Sequence, residues 1–296
     1  MHKKLLLLFL VVPFFFGCDL FDTDRTVTIE SDTAGYTLFV DGSRVDSETI
    51  IVKKGNHSLL AFLEGYNVIQ KEITVEENAT VNLEFTAMTT ILADDFTDNS
   101  NIGTENLNYT VLEGVENPVV TNSLLTLSPI ADIAAEDHMW IMNLRNDAGL
   151  SSHSMAVHME IDYDIENCGD SLFFHLIDGS RISDNAHIFY HLGFGNDSSE
   201  VSIQSNIEAT EGTISSESSS YSYDPTIFID GNNAIDLVMT ETDFILIVND
   251  NLLIDMTIPD DMKLNTAEIV NEGFGFGVHG PAIADDIIID ALNCYK

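Results

Sequence analysis

From Val27 onward the chain alternates short apolar runs with turn chemistry, and helical periodicity is nearly absent. Runs at 27–30, 36–40, 49–53, 57–63, 68–75 and 79–86 are rich in Val, Ile, Leu, Thr and Phe. Asp41-Gly42-Ser43, Lys54-Gly55-Asn56, Glu64-Gly65-Tyr66 and Glu76-Glu77-Asn78 punctuate them. Regular spacing of this kind predicts a small antiparallel sandwich over residues 26–87.

Residues 88–92 read as a hinge, and a larger β domain follows over 93–296. Strands are predicted at 154–165, 171–177, 186–194, 199–205, 234–240, 243–249 and 252–258. Further strands are predicted at 273–278 and 286–290. Val248-Asn249-Asp250-Asn251-Leu252 predicts a hairpin, because Asn and Asp tolerate positive φ. The Ser- and Glu-rich segment 205–222 reads as an exposed loop or a frayed hairpin. Gly273-Phe274-Gly275-Phe276-Gly277 is no phosphate loop, since neither a helix nor a Lys-Ser/Thr pair follows it.

One stretch carries chemistry. In His158-Met159-Glu160-Ile161-Asp162-Tyr163-Asp164-Ile165-Glu166, acids alternate with apolar residues. A strand places Glu160, Asp162, Asp164 and Glu166 on one face and their apolar neighbours on the other. In the next two strands, Phe173 and His175, then His187, Phe189 and His191, form the less apolar alternating sets. These sets are expected to share the face of Glu160, Asp162 and Asp164. Carboxylates and imidazoles exchange hydrogen bonds with sugar hydroxyls, and an aromatic ring packs on a pyranose C–H face. Three readings follow for this surface: a saccharide site, an ordinary solvated face, or the catalytic strand of a hydrolase. His187 and His191 lie about 13 Å apart along a strand, too far to chelate one metal ion without His175.

The N-terminus changes the setting. Lys3 and Lys4 precede an apolar run from Leu5 to Phe16, which is shorter than the roughly 20 residues needed to span a bilayer. A secretory signal is the expectation. Gly17-Cys18 then resembles the lipobox of bacterial lipoproteins, which implies lipidation of Cys18 and attachment to a membrane through acyl chains. Residues 19–25 would form a tether. Cys168 and Cys294 are the two cysteines left in the body. In an oxidising compartment they are expected to form one disulfide, the alternative being two buried thiols.

Composition narrows the partners. The chain has 296 residues and 49 Asp+Glu against 11 Lys+Arg, a formal charge of −38. Such a surface repels phosphate backbones, so no nucleic-acid partner is expected. Asp94-Asp95 opens the second domain and Asp285-Asp286 begins its last strand. A structural Ca²⁺ taking oxygen ligands from both pairs is one use for them, and no other cofactor is expected.

Two resemblances emerge from these motifs. Ser31, Gly35, Asp41, Gly42, Gly55, His57, Gly65 and Tyr66 fall on the pattern of the PEGA family of envelope-associated β domains. That resemblance implies a structural or spacer module with no catalytic residues. It leaves His57 as a strand-start residue. The order Asp94-Asp95-Phe96, then long strands, Asn249-Asp250-Asn251, Gly273-Phe274-Gly275 and Asp285-Asp286-Ile287 resembles the concanavalin A-like lectin/glucanase superfamily. It implies a two-sheet jelly roll whose exposed concave sheet takes ligands. Retaining β-glucanases of that superfamily carry Glu-x-Asp-x-Glu. Here Glu160-Ile161-Asp162 begins the motif and Asp164 stands in place of the second Glu. The expected fold class is therefore all-β, with a small sandwich followed by a larger jelly roll. The expected function is a cell-envelope lipoprotein displaying a non-catalytic module for carbohydrate or another envelope ligand. The alternatives are a glycoside hydrolase and a purely structural envelope protein.

Overall fold

A computed structural model describes residues 24–97, 119–128, 138–144, 155–162, 171–178, 186–195, 200–209, 212–229, 231–240, 242–258, 273–279 and 287–295. Strands dominate these residues, and Pro225–Ile227 forms a single 3₁₀ turn. Among the described residues no helix is long and apolar enough to cross a membrane. The chain divides into two compact units. One runs up to Leu63 and adds Val68–Thr86; the other comprises Glu64–Asn67 and everything from Ala87.

The first unit contains β1 (Arg25–Ser31), β2 (Thr37–Val40), β3 (Ser43–Val45), β4 (Thr49–Val52), β5 (Gly55–Phe62), β6 (Ile69–Val75) and β7 (Ala79–Leu83). A three-stranded sheet runs β4-β1-β7 and a four-stranded sheet runs β3-β2-β5-β6. The β1–β7 pairing is parallel. Val27, Ile29, Leu38, Val40, Ile50, Leu59, Ala61, Val75 and Leu83 form the buried core. Period-two geometry decides which residues join it: on β4, Ile50 is buried while its neighbour Ile51 is 72% exposed.

An imidazole staples this unit together. Val40 pairs with Ser43 across Asp41-Gly42, whose φ values of 50° and 75° make a two-residue type I′ turn. The Asp41 carboxylate accepts from Ser58 N at 3.0 Å and lies 2.7 Å from His57 Nδ1. His57 Nε2 lies 2.7 Å from the Lys53 carbonyl oxygen. Both partners of the ring are acceptors, so both ring nitrogens must donate, and the imidazolium is the form that satisfies them. The hydrogen bond from Asp41 is the largest cause raising the His57 pKa, helped by the Lys53 carbonyl. The same hydrogen bond lowers the Asp41 pKa. His57 thus joins the β2–β3 turn to the start of β5.

The second unit holds β8 (Thr90–Asp94), β9 (Val119–Thr121), β10 (Leu124–Leu127), β11 (His138–Leu144), β12 (Met155–Asp162), β13 (Ser171–Asp178) and β14 (Ala186–Gly195). It continues with β15 (Glu200–Ala209), β16 (Gly212–Ser222), β17 (Asn232–Met239), β18 (Asp243–Val248), β19 (Asn251–Thr257), β20 (Gly273–His279) and β21 (Ile287–Tyr295). An eight-stranded sheet runs β19-β18-β17-β12-β21-β10-β9, with β8 also on β21. A six-stranded sheet runs β11-β20-β13-β14-β15-β16. The all-β sandwich class is the one the apolar pattern predicts. Of the two expectations for segment 205–222, the structure has the hairpin and not the loop: β15 and β16 pair from Glu200↔Ser222 to Ala209↔Gly212, with one bulge.

The expected 248–252 hairpin forms, with φ of 47° at Asn249 and 60° at Asp250 and Val248 opposite Asn251. Asn249 also works through its side chain. Its Oδ1 accepts from Ala234 N at 2.9 Å, and its Nδ2 donates to Ile227 O at 2.8 Å and to Asn233 Oδ1 at 2.7 Å. Asn233, only 1% exposed, donates in turn to the carbonyls of Ile229 and Gly231. This network lets a buried amide sit at the edge of an apolar core without an unsatisfied group.

Two outcomes follow. Asp41→Ala returns the His57 titration midpoint, followed by NMR, toward the ordinary imidazole value and costs about 1 kcal/mol from the lost hydrogen bonds. In the intact protein the His57 contribution to stability is full below the unfolded imidazole pKa and fades as pH rises through the raised folded value. The Asp41 contribution is present above the unfolded carboxyl pKa and fades as pH falls through its lowered folded value. Asn249→Ala costs about 2 kcal/mol, from lost hydrogen bonds and an Ala forced to positive φ. Calorimetry should show a fall of about 4–8 °C in the melting midpoint of the second unit.

Candidate functional site

Strand β12 alternates as its sequence requires. Met159 and Ile161 are fully buried, Glu160 is partly exposed and Asp162 is exposed. His158 stands on the same face as these two acids, and here a polar cluster assembles. His158 Nδ1 lies 2.7 Å from Asp236 Oδ1 on the neighbouring β17. Its Nε2 faces Glu64 Oε2 at 3.8 Å and Glu160 Oε1 at 3.9 Å. Glu64 Oε1 accepts from Asn293 Nδ2 at 2.9 Å and from Tyr295 OH at 2.5 Å, both on β21. Glu160 Oε2 accepts from Asn232 Nδ2 at 3.0 Å, and the same amide reaches Asp290 Oδ2 at 3.3 Å.

Electrostatics in this cluster favour a shared proton. Burial opposes charge on His158, but the hydrogen bond and charge of Asp236, then the charges of Glu64 and Glu160, outweigh it and raise the imidazole pKa. Burial pushes the Asp236 carboxyl up, and His158 offsets only part of that rise. Burial, then Glu64, raise the Tyr295 phenol. The charged imidazole lets three carboxylates approach one another in a low-dielectric setting. The group is thus a knot of side chains in which one imidazole offsets part of the charge of the surrounding carboxylates.

The expected single surface divides into two. β12 belongs to the eight-stranded sheet, whereas β13 and β14 belong to the six-stranded sheet. Glu160 and Asp162 therefore do not share a face with Phe173, His175, His187, Phe189 and His191. The chain leaves one sheet for the other between β12 and β13, so alternation along the sequence does not carry across that connection.

Within the six-stranded sheet, register gathers the second set. His175 is opposite His191, which is opposite Gln204, which is opposite Ser218. On the other side, His175 is opposite Gly275, and Gly275 is opposite Asn143. A parallel row reads Trp140–Gly277–Phe173–Gly193–Ser202. Phe189 is opposite Asn206, and His187 is opposite Glu208. Directly opposed residues share a face, so these rows define one face of polar, aromatic and glycine positions. The alternate positions define the other: Leu172, Phe174 and Leu176 of β13, opposite Phe194, Leu192 and Tyr190 of β14 and Val278, Phe276 and Phe274 of β20. The second set is the more apolar of the two in sequence. Trp140, distant in sequence from every strand carrying a candidate residue, enters through β20. Nothing in local sequence marks it, because long-range pairing alone brings β11 beside β20.

Other expected site residues fare differently. Asp94 is opposite Leu292 on β21, so first and last strands of this unit do pair. That position is five residues, about 16 Å, along β21 from Ile287. Asp95 Oδ1 accepts from Thr97 N at 3.2 Å, closing a local turn. Asp285 and Asp286, with Cys18, Asp164 and Cys168, lie outside the described residues. Among the described residues no group of His, Cys, Asp and Glu is arranged to hold a metal ion.

Cys294 is a free, fully buried thiol, and Cys168, its expected partner, lies outside the described residues. It sits opposite Val157 on β12 and Leu92 on β8, on the face that β21 turns toward the core with Leu292 and Ile289. Burial in these apolar surroundings pushes its pKa up to about 12. Alternation along β21 thus turns the Cys294 sulfur inward.

Comparison with known proteins adds two findings. Residues 25–90 match the PEGA domain. No curated protein matches the chain. Among solved structures, the chain is similar to a GlcNAcα1-4Gal-releasing endo-β-galactosidase from Clostridium perfringens, at 10% identity and a TM-score of 0.46. The similarity covers 71% of this chain and spans 63% of that one. It is similar to the laminarinase catalytic domain of Thermotoga maritima MSB8, at 13% identity and a TM-score of 0.46, over 71% of this chain and 98% of that one. A glycoside hydrolase family 16 endo-glucanase from Bacteroides ovatus is similar at 11% identity and a TM-score of 0.44, over 69% of this chain and 99% of that one.

The sulfur gives a direct check. Cys294 should resist iodoacetamide in the folded protein and become alkylated on denaturation without any reductant, as mapped by mass spectrometry. Alkylation that requires prior reduction would establish a disulfide instead.

Proposed function

We propose that the chain is a bacterial cell-envelope lipoprotein, lipidated at Cys18. In this reading the PEGA domain serves as spacer and the second unit displays a non-catalytic carbohydrate-binding face. The observation that carries this reading is the register of the six-stranded sheet. It gathers Phe173, His175, His187, Phe189 and His191 with Trp140, Gln204 and Asn206 on a single face. Rings for sugar C–H faces and amides and imidazoles for hydroxyls are the groups a saccharide needs.

Hydrolysis receives less support. A retaining glycosidase holds two carboxyls about 5–5.5 Å apart, and an inverting one about 6.5–9.5 Å apart. Strand carboxylates on the gathered face are Glu200 and Glu208, eight residues along β15 and therefore about 26 Å apart. Glu160, the best match to a catalytic Glu, is held by Asn232 and lies beside His158 on the other sheet.

The test is a polysaccharide array with the chain from Asp24 onward. Binding to at least one polymer is expected, with His191→Ala and Phe173→Ala each weakening it about tenfold, or roughly 1.4 kcal/mol. Asp162→Ala, on the other sheet, should leave it within about twofold. No binding at all would defeat the proposal. Reducing-sugar release that disappears in Glu160→Gln would replace it with a hydrolase.

A further inference from the structure

We infer that the ligand of this face is an uncharged glycan and that sulfated and uronate polysaccharides are excluded. The inference rests on the carbohydrate-binding reading above and deepens it. Its basis is what the six-stranded sheet lacks in its strand sequences. None of β11, β13, β14, β15, β16 and β20 contains a Lys or Arg. Recognition of a sulfate or carboxylate relies on charge-assisted hydrogen bonds, for which the guanidinium fork and the ammonium are the usual donors.

The polar positions that register does place on the face are of another kind. The row through His175 and His191 continues into Gln204 and Ser218, which are hydrogen-bond donors and acceptors without a fixed charge. The formal charges on the face in β15 are both negative, at Glu200 and Glu208. They sit in a chain of net charge −38. Arg145 and Arg181 follow β11 and β13 in sequence, and each stands within three residues of an aspartate, Asp147 for the first and Asp178 and Asp184 for the second. An anionic polymer laid on this face would meet the like charge of Glu200 and Glu208, with no Lys or Arg in the described strands of the sheet. A neutral polymer meets alternating hydroxyl partners and rings.

Salt dependence separates the two cases, because the Debye length falls to about 8 Å at physiological ionic strength. A neutral ligand held by hydrogen bonds and ring contacts is indifferent to that change. The experiment measures binding of the full-length chain at neutral pH to two groups of soluble polymers. Laminarin, mixed-linkage β-glucan, xyloglucan and galactomannan are the neutral probes; alginate, κ-carrageenan and heparin are the anionic ones. At least one neutral polymer should bind, with affinity constant within about twofold between low and physiological salt. Every anionic polymer should bind at least about a hundredfold more weakly than the best neutral one. Gln204→Arg, which adds a cation in the central row, should improve binding of the anionic probes about tenfold at low salt. An anionic polymer bound as tightly as the best neutral one by the unaltered chain overturns the inference and leaves the carbohydrate-binding reading standing. Failure of every polymer of both groups removes that reading, and the inference with it. The comparison of polymer classes on the unaltered chain decides the matter even if Gln204→Arg does not fold.

Discussion

Cross-strand register is the constraint on which everything else in this protein rests. Because side chains alternate with period two, pairing one residue with its partner fixes the face of every other residue in both strands. A shift of one residue at β13 would exchange Phe174 for His175 and send an imidazole row toward the apolar side of the sheet. The type I′ turns protect against such slips. Asp41-Gly42, Asn122-Ser123 and Asn249-Asp250 all take positive φ and join their strands by two residues, leaving no slack for an alternative pairing.

Acidity imposes the second constraint. With so few lysines and arginines, the chain uses histidine as a structural cation. His57 ties Asp41 to the Lys53 carbonyl in the first unit, and His158 ties Asp236 and faces Glu64 and Glu160 in the second. At His57 the ring stabilises a single carboxylate, and at His158 it stands among three that would otherwise repel. A histidine can do this near neutral pH only when its pKa is raised, and both are raised by a hydrogen-bonded aspartate. The PEGA-like pairing of Asp41-Gly42 with Gly55-x-His57 is therefore a physical device, in which turn, imidazole and strand start are one hydrogen-bonded unit.

Burial of polar groups follows the same economy. Asn233 lies in an apolar layer because Asn249 and the carbonyls of Ile229 and Gly231 satisfy it. Asp236, on the other face of β17, is buried beside His158, which satisfies it. Cys294 needs no partner, since a thiol in apolar surroundings packs as a small hydrophobe.

Much was determined by sequence alone. Runs of Val, Ile and Leu between turn residues marked many strands of both units, though not β3, β8 or β11, and Asn249-Asp250 marked its hairpin, because these effects are local and act through φ and side-chain alternation. Alternation along β12 put His158, Glu160 and Asp162 on one face for the same reason. Only the tertiary structure decided which faces meet. It placed β12 and β13 in different sheets, carried Trp140 to the row of Phe173 through β20, set Glu64 and Asp236 around His158, and left Cys294 a free thiol. Each of those outcomes depends on contacts between segments far apart in the chain, and a two-residue period says which side a residue occupies without saying what lies across from it.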